Sequence, residues 1–246
     1  MGDNLLSLTQ GRSGIFRHVI LLQIASMLEE DGNLNKSHSR SFAIIAMMLI
    51  VWASLLGLRT AGDNVIAADV RIAQWIQRWQ GNLPEVLERL GDMSGETRTA
   101  IAAILAGMTI AAFLRVRQIT IFFMLVGTFR IIAMVLKPLF ESPRPIASRV
   151  RITDYSDGFG YPSGHSMTAA MIATVVAVLI WQSPATTRTR WAVTTGAVVF
   201  ALLVGWSRIW SGAHWPTDVL GGWSYGMALV LLAWAAASRF ERSGIG

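Results

Sequence analysis

Cysteine is missing from all 246 positions, which removes disulfide frameworks, thiolate metal sites and cysteine-linked lipid anchors together. Charge is sparse as well. Asp, Glu, Lys and Arg make up 15% of the chain, where soluble domains average about a quarter. The net charge of +6 is scattered as arginines at the ends of apolar runs and forms no basic stripe, so nucleic acid is excluded as a partner. The sequence holds no internal repeat and no low-complexity tract. A cleaved leader is not expected either, because the short apolar stretch from His18 to Leu28 runs into Glu29, Glu30 and Asp31 instead of a small-residue cleavage site.

What the chain does hold is apolar: 53% of residues are hydrophobic and the mean hydropathy is +0.47. Ten tryptophans and 22 glycines suit bilayer interfaces and spanning helices. Stretches approaching the roughly 20 residues of a spanning helix lie at about 41–58, 100–114, 119–136, 164–182, 191–206 and 218–238. The expected fold class is therefore all-α, a polytopic membrane protein with six transmembrane helices. Residues 1–40 read as a cytoplasmic N-terminal segment, 41–240 as the six-helix domain and 241–246 as a cytoplasmic tail.

Loop charge orients the bundle. Arg115 and Arg117, Arg188 and Arg190, and Arg239 and Arg242 follow the second, fourth and sixth stretches, and the positive-inside rule assigns them to the cytoplasm. Both termini are then cytoplasmic in a multi-pass cell-membrane protein, and the connections after the first, third and fifth helices face outside. The longest of these, about 59–98, carries Ile66, Val70, Ala73, Ile76 and Trp79 at helical spacing opposite Asp69, Arg71, Gln74 and Arg78. That pattern predicts an amphipathic interfacial helix between helices one and two. A second short helix is expected near Asn82, with Pro84 in its first turn.

Three polar clusters interrupt the apolar chain, all on the outer side of this topology. Lys137 and Arg144 lie in a segment stiffened by prolines at 138, 143 and 145, which suits an anion. Tyr161-Pro162-Ser163-Gly164-His165 opens the fourth helix. There Ser163 can cap, free N–H groups favour an anion, Gly164 permits close approach and His165 is a candidate proton donor. Ser207-Arg208, His214 and Asp218 form the third cluster. A spacing of four lets Asp218 reach one nitrogen of His214 if the turn is helical, leaving the other to act as nucleophile or base.

With these residues in place, the sequence resembles the type 2 phosphatidic acid phosphatase superfamily, which also includes class A bacterial acid phosphatases and vanadium haloperoxidases. Lys137, Arg144 and Pro145 match its first motif, Pro162-Ser163-Gly164-His165 its second, and Ser207, Arg208, His214 and Asp218 its third. The resemblance covers roughly residues 100–238. It implies that His214 attacks phosphorus, Asp218 orients it and His165 protonates the leaving oxygen. Lys137, Arg144, Arg208, Ser163 and Gly164 would bind the phosphate, with neither metal nor cofactor. The implied enzyme is a metal-independent membrane lipid phosphatase whose partners are the bilayer and a lipid phosphate or diphosphate, such as undecaprenyl diphosphate, phosphatidate or phosphatidylglycerophosphate.

Transfer of phosphate to a lipid acceptor, and transport of an anionic lipid without turnover, are the alternatives to hydrolysis. Peroxidation with vanadate ranks below them, and oligomeric state is left open. Arg130, inside the third helix, is read as bonded to backbone carbonyls in preference to meeting a second substrate phosphate or pairing with a carboxylate. Arg149, Arg151, Asp154, Tyr155 and Asp157 are read as a solvated loop in preference to a headgroup site, and Trp206, Trp210 and Trp215 as interface residues.

Overall fold

The computed structural model describes residues 34–62, 64–95 and 97–240; most of the segment assigned to 1–40, and all of the tail 241–246, lie outside the described residues. Every regular element among those residues is helical. The chain runs through α1 (Leu34–Thr60), α2 (Ala67–Ile76), α3 (Asn82–Gly95), α4 (Thr97–Phe113) and α5 (Arg117–Ile132). A 3₁₀ turn (Ala133–Leu136) and the short α6 (Lys137–Phe140) follow, then α7 (Gly164–Trp181), α8 (Thr187–Trp210) and α9 (Pro216–Phe240). Four helices, α1, α7, α8 and α9, are long and apolar enough to cross a membrane. The apolar part of α4, Ile101–Phe113, is shorter.

Helix α9 is the centre of the bundle, packed against α1, α7 and α5, while α8 lies between α7 and α3. In its most apolar window 61% of α9 is buried in the protein, against 17% for α1; α1 instead presents Met47, Val51, Trp52 and Leu55 outward. Side chains that touch α9, such as Phe122 edge-on to Trp234 at 5.2 Å, complete the core. Lipid tails are as apolar as these side chains, so helices in a bilayer associate largely through close packing. The α7–α9 contact shows how. A Cβ on Gly222 would lie 2.5 Å from the Ser163 carbonyl oxygen, and one on Gly226 would lie 2.5 Å from that of Met167. Two glycines four residues apart thus let the backbones of α7 and α9 touch.

Helix α2 differs from the expected amphipathic pattern in which faces it turns where. Val70, Ala73 and Ile76 pack on Val150, Ile209 and Trp215, whereas Ile72, Trp75 and Trp79 are exposed. Asp69, expected on the polar face opposite, is buried. Its two carboxylate oxygens accept from the Thr217 N–H at 3.1 Å and the Thr217 hydroxyl at 2.6 Å, capping the first turn of α9, where backbone donors are otherwise unpaired.

Candidate active site

The N-termini of α7 and α9 and the C-terminus of α8 meet at one end of the bundle. Pairing of the Ser163 N–H with the Asp218 carbonyl at 2.9 Å fixes the first two side by side. Around this junction lies a cavity of about 290 Å³ whose lining includes Lys137, Arg144, Gly164, His165, Arg208 and His214, together with Arg130. Six of the eight residues singled out from sequence therefore share one cavity. The other two stand directly behind it. Asp218 is fully buried beneath His214, and Ser163 caps α7, its Oγ accepting from the Ser166 N–H and hydroxyl. A Cβ on Gly164 would meet nothing within 4 Å, so the backbone there is open to a ligand.

His214 is positioned by backbone first: its N–H and that of Ala213 both donate to the Arg208 carbonyl at 3.1 Å, folding the chain back after α8. Its Nδ1 lies 3.2 Å from Asp218 Oδ2, the oxygen that also accepts the Trp215 N–H at 3.0 Å. Nε2 faces the opposite way, 3.4 Å from Arg144 Nη1. An arginine can only donate, so this contact suits a ring protonated at Nδ1 with the Nε2 lone pair toward the cavity. Burial pushes the imidazole well below the ordinary histidine range, and Arg144, Lys137 and Arg208 push the same way. Together these effects favour the neutral imidazole despite the adjacent carboxylate.

The cations are held by carbonyls of the loop they brace. Lys137 Nζ donates to Phe159 O at 3.1 Å, and Arg144 donates to Gly158 O at 3.0 Å and Ala213 O at 2.8 Å. Burial, with Arg144 next, lowers the Lys137 ammonium to about 8. Arg208, 1% exposed, is held by carboxylates instead. Nη1 lies 2.9 Å from Asp154 and 2.8 Å from Asp92, and Nη2 lies 3.1 Å from Glu88. Its Nε donates to Ser207 Oγ at 3.3 Å, which leaves a second Nη2 hydrogen for a ligand.

Sequence reasoning missed Glu88 and Asp92 altogether and placed Asp154 in a solvated loop. The signal available was a pair of acids four residues apart on a short helix. Arg151, from the same loop, stacks over Trp210 at 4.4 Å. Trp210 and Trp215 are themselves buried, so they serve packing. Arg130 bonds the Thr168 hydroxyl at 3.5 Å.

The sequence profile of the PAP2 superfamily matches residues 118–242. Phosphatidylglycerophosphatase B of Bacillus subtilis (strain 168) is 38% identical over 117 residues, which are 47% of this chain and 56% of that protein. An undecaprenyl-diphosphatase of Sulfolobus acidocaldarius is 37% identical over 81 residues, 33% of each chain. The chain thus spans about half the length, or less, of these relatives. Among solved structures, a transmembrane PAP2-type phosphatidylglycerolphosphate phosphatase from Bacillus subtilis superimposes with a TM-score of 0.66 at 27% identity, over 82% of this chain and 97% of the other. Aquifex aeolicus LpxE shares the fold, with a TM-score of 0.55 at 19% identity over 68% of this chain and 95% of the other.

Proposed function

The chain belongs to the PAP2 superfamily, and on that footing we propose that it is a membrane lipid phosphatase working through a phosphohistidine at His214. One observation carries the reading: the His214 imidazole, anchored at Nδ1 by a buried carboxylate, points Nε2 into a cavity lined by Lys137, Arg144 and Arg208, with Arg130 deeper in the same lining. Nε2 attacks phosphorus, the bond from phosphorus to the leaving oxygen (that of the lipid alcohol in a monoester, or of the lipid phosphate in a diphosphate) breaks, and that oxygen takes a proton from His165. Water then attacks the phosphohistidine with His165 as base. The P–N bond breaks, inorganic phosphate leaves and His214 returns neutral. Lys137, Arg144, Arg208 and the Gly164 amide offset the charge of the transferring group, a contribution that amounts to several kcal/mol in enzymes of this electrostatic kind. No metal is assigned to the step.

A lipid substrate is supported by the surroundings of the cavity. The helices α1, α4, α5, α7, α8 and α9 form six membrane spans in this reading, and residues 41–240 are the membrane domain. Both termini, with segments 1–40 and 241–246, lie in the cytoplasm, and the site opens at the outer face. Arg115 and Arg117 at the α4–α5 junction, and Arg188 and Arg190 in the first turn of α8, lie at the opposite end of the helices from the site, which supports this orientation by the positive-inside rule. The exposed Trp75 of α2 and Trp79 just after it rest that helix in the headgroup layer. An apolar cavity of about 240 Å³ between α4, α5 and α7, lined by Ile104, Phe123, Val126 and Met171, reaches Thr168, the partner of Arg130 beside the catalytic cavity. It gives the lipid tail a path. The relatives' names support a lipid monophosphate or diphosphate as the substrate class.

The test is phosphate release by detergent-purified protein from phosphatidylglycerophosphate, phosphatidate and undecaprenyl diphosphate, beside the His214→Ala variant. Rapid acid-free quenching with ³²P-labelled substrate should trap an acid-labile, alkali-stable protein adduct in the wild type and none in the variant. Turnover by the variant near the wild-type rate removes His214 from the mechanism. An adduct without phosphate release indicates transfer to an acceptor, and binding without either indicates transport.

A further inference from the structure

Helix α3 lies outside the segment that matches the family, 118–242, yet one of its faces is given over to the catalytic residues. Glu88, Gly91, Asp92 and Gly95 are spaced by three and four residues and so line a single stripe. Glu88 and Asp92 contact Arg208. The Oδ1 of Asp92 that lies 2.8 Å from Arg208 Nη1 also lies 3.2 Å from His165 Nε2, so one oxygen joins residues of the second and third motifs. The two glycines bring the stripe this close. A Cβ on Gly91 would fall 2.5 Å from Ser207 Oγ, and a Cβ on Gly95 would fall 2.9 Å from Cβ and Cδ2 of His165. A larger residue at either position lifts the helix off the site or displaces Ser207 at the first and Val204 and His165 at the second. The opposite side of α3 exposes Leu83, Val86, Leu90 and Met93, so α3 stands between the site and the surroundings.

Resting on the phosphatase reading, we propose that this stripe of α3 is a fourth element of the active site, in which Asp92 is the positioning residue that orients His165 as the acid and registers it against Arg208. The two histidines are then anchored in opposite senses. Asp218 holds His214 by Nδ1 and frees Nε2 to attack phosphorus. Asp92 holds His165 by Nε2, so Nδ1 is the nitrogen that passes its proton to the leaving oxygen. An imidazolium with one N–H on a carboxylate keeps its charge and its aim, as in the His–Asp pairs of other hydrolases.

A change of leaving group separates this role from a merely structural one. A lipid phosphomonoester such as phosphatidate expels an alkoxide that needs a proton, whereas p-nitrophenyl phosphate expels a phenolate stable enough to leave without one. Asp92→Asn should lower kcat/KM on phosphatidate about 30-fold, part of the roughly 10²–10⁴-fold that a general acid supplies, and should lower it several-fold less on p-nitrophenyl phosphate. Gly95→Ala, which crowds the His165 ring directly, should repeat that selectivity. Glu88→Gln touches Arg208 alone and should weaken both substrates equally, because a phosphate-binding arginine is indifferent to the leaving group. Asp92→Glu, which keeps the charge, should recover part of the lost rate. Equal losses on both substrates for Asp92→Asn and Gly95→Ala, or no loss for either, overturn the assignment. A wild-type protein that releases phosphate from neither substrate overturns the phosphatase reading, and this proposal with it.

Discussion

Replacing Asp218 by Asn tests how the nucleophile is held, and the structure sets the expected size of the effect. In serine hydrolases the equivalent change inverts the histidine tautomer and drops kcat about 10⁴-fold. Here the arrangement differs, because one oxygen, Oδ2, accepts from both His214 Nδ1 and the Trp215 backbone N–H. That backbone donor is fixed. An asparagine must therefore turn its carbonyl oxygen, not its NH₂, toward the pair, and Nδ1 keeps its proton. What is lost is charge: about 4 kcal/mol for a unit charge at 4 Å with an effective dielectric near 20, and about 2 kcal/mol if the neutral hydrogen bond recovers part of it. The rate of phosphohistidine formation should fall about 30- to 1,000-fold, with KM little changed. Single-turnover quench measurements on labelled lipid phosphate give this rate directly. A loss as deep as that of His214→Ala would mean that the tautomer had inverted and that the Trp215 constraint does not operate. A change under about threefold would mean that the carboxylate contributes no charge stabilisation.

Other consequences are as measurable. With the Lys137 ammonium lowered to about 8, its charge is present below that pH and lost above it, so kcat/KM, which reports the free enzyme, should decline as pH rises through 8; Lys137→Arg should move that limb to higher pH. Gly226→Val forces a side chain into the Met167 carbonyl and should destabilise the protein by about 1–3 kcal/mol or more, read as a lower thermal midpoint in detergent. Asp69→Ala removes both caps from Thr217 and should cost about 1–2 kcal/mol of stability, followed by the same melt. Activity should survive a strong metal chelator and fall with vanadate; loss on chelation, restored by magnesium, would contradict the charge cage assigned to Lys137, Arg144 and Arg208.

The helices were legible because apolar runs leave little else for a backbone to do. Each of the six runs coincides with a helix, although the ends shift where polar residues join the turn. Helix α8 starts at Thr187, ahead of the expected 191, because Thr186 caps a polar first turn whose side chains carry no hydropathy signal. The stretch read as 119–136 ends its α-helix at Ile132 and tightens into a 3₁₀ turn before Pro138. The residues lining the cavity were legible too, since phosphate chemistry needs bases, cations and free N–H groups at helix ends. The partners of Arg208 were not. Glu88 stands 120 positions away, and nothing local distinguishes its carboxylate from a solvated one. Asp69 misled for a related reason: helical periodicity put it on the polar face, while the bare N-terminus of α9 was the stronger attraction.

The glycine contact between α7 and α9 also defines a unit of inheritance. His165 rides on one helix and the His214–Asp218 pair stands at the head of the other, and their separation is set where Gly222 and Gly226 meet the carbonyls of Ser163 and Met167. Neither helix can be exchanged alone in a chimera without resetting the distance between His165 and His214. Variation that redirects substrate choice is then expected in α2, α4 and α5, the walls around that fixed pair, while α7 and α9 travel together.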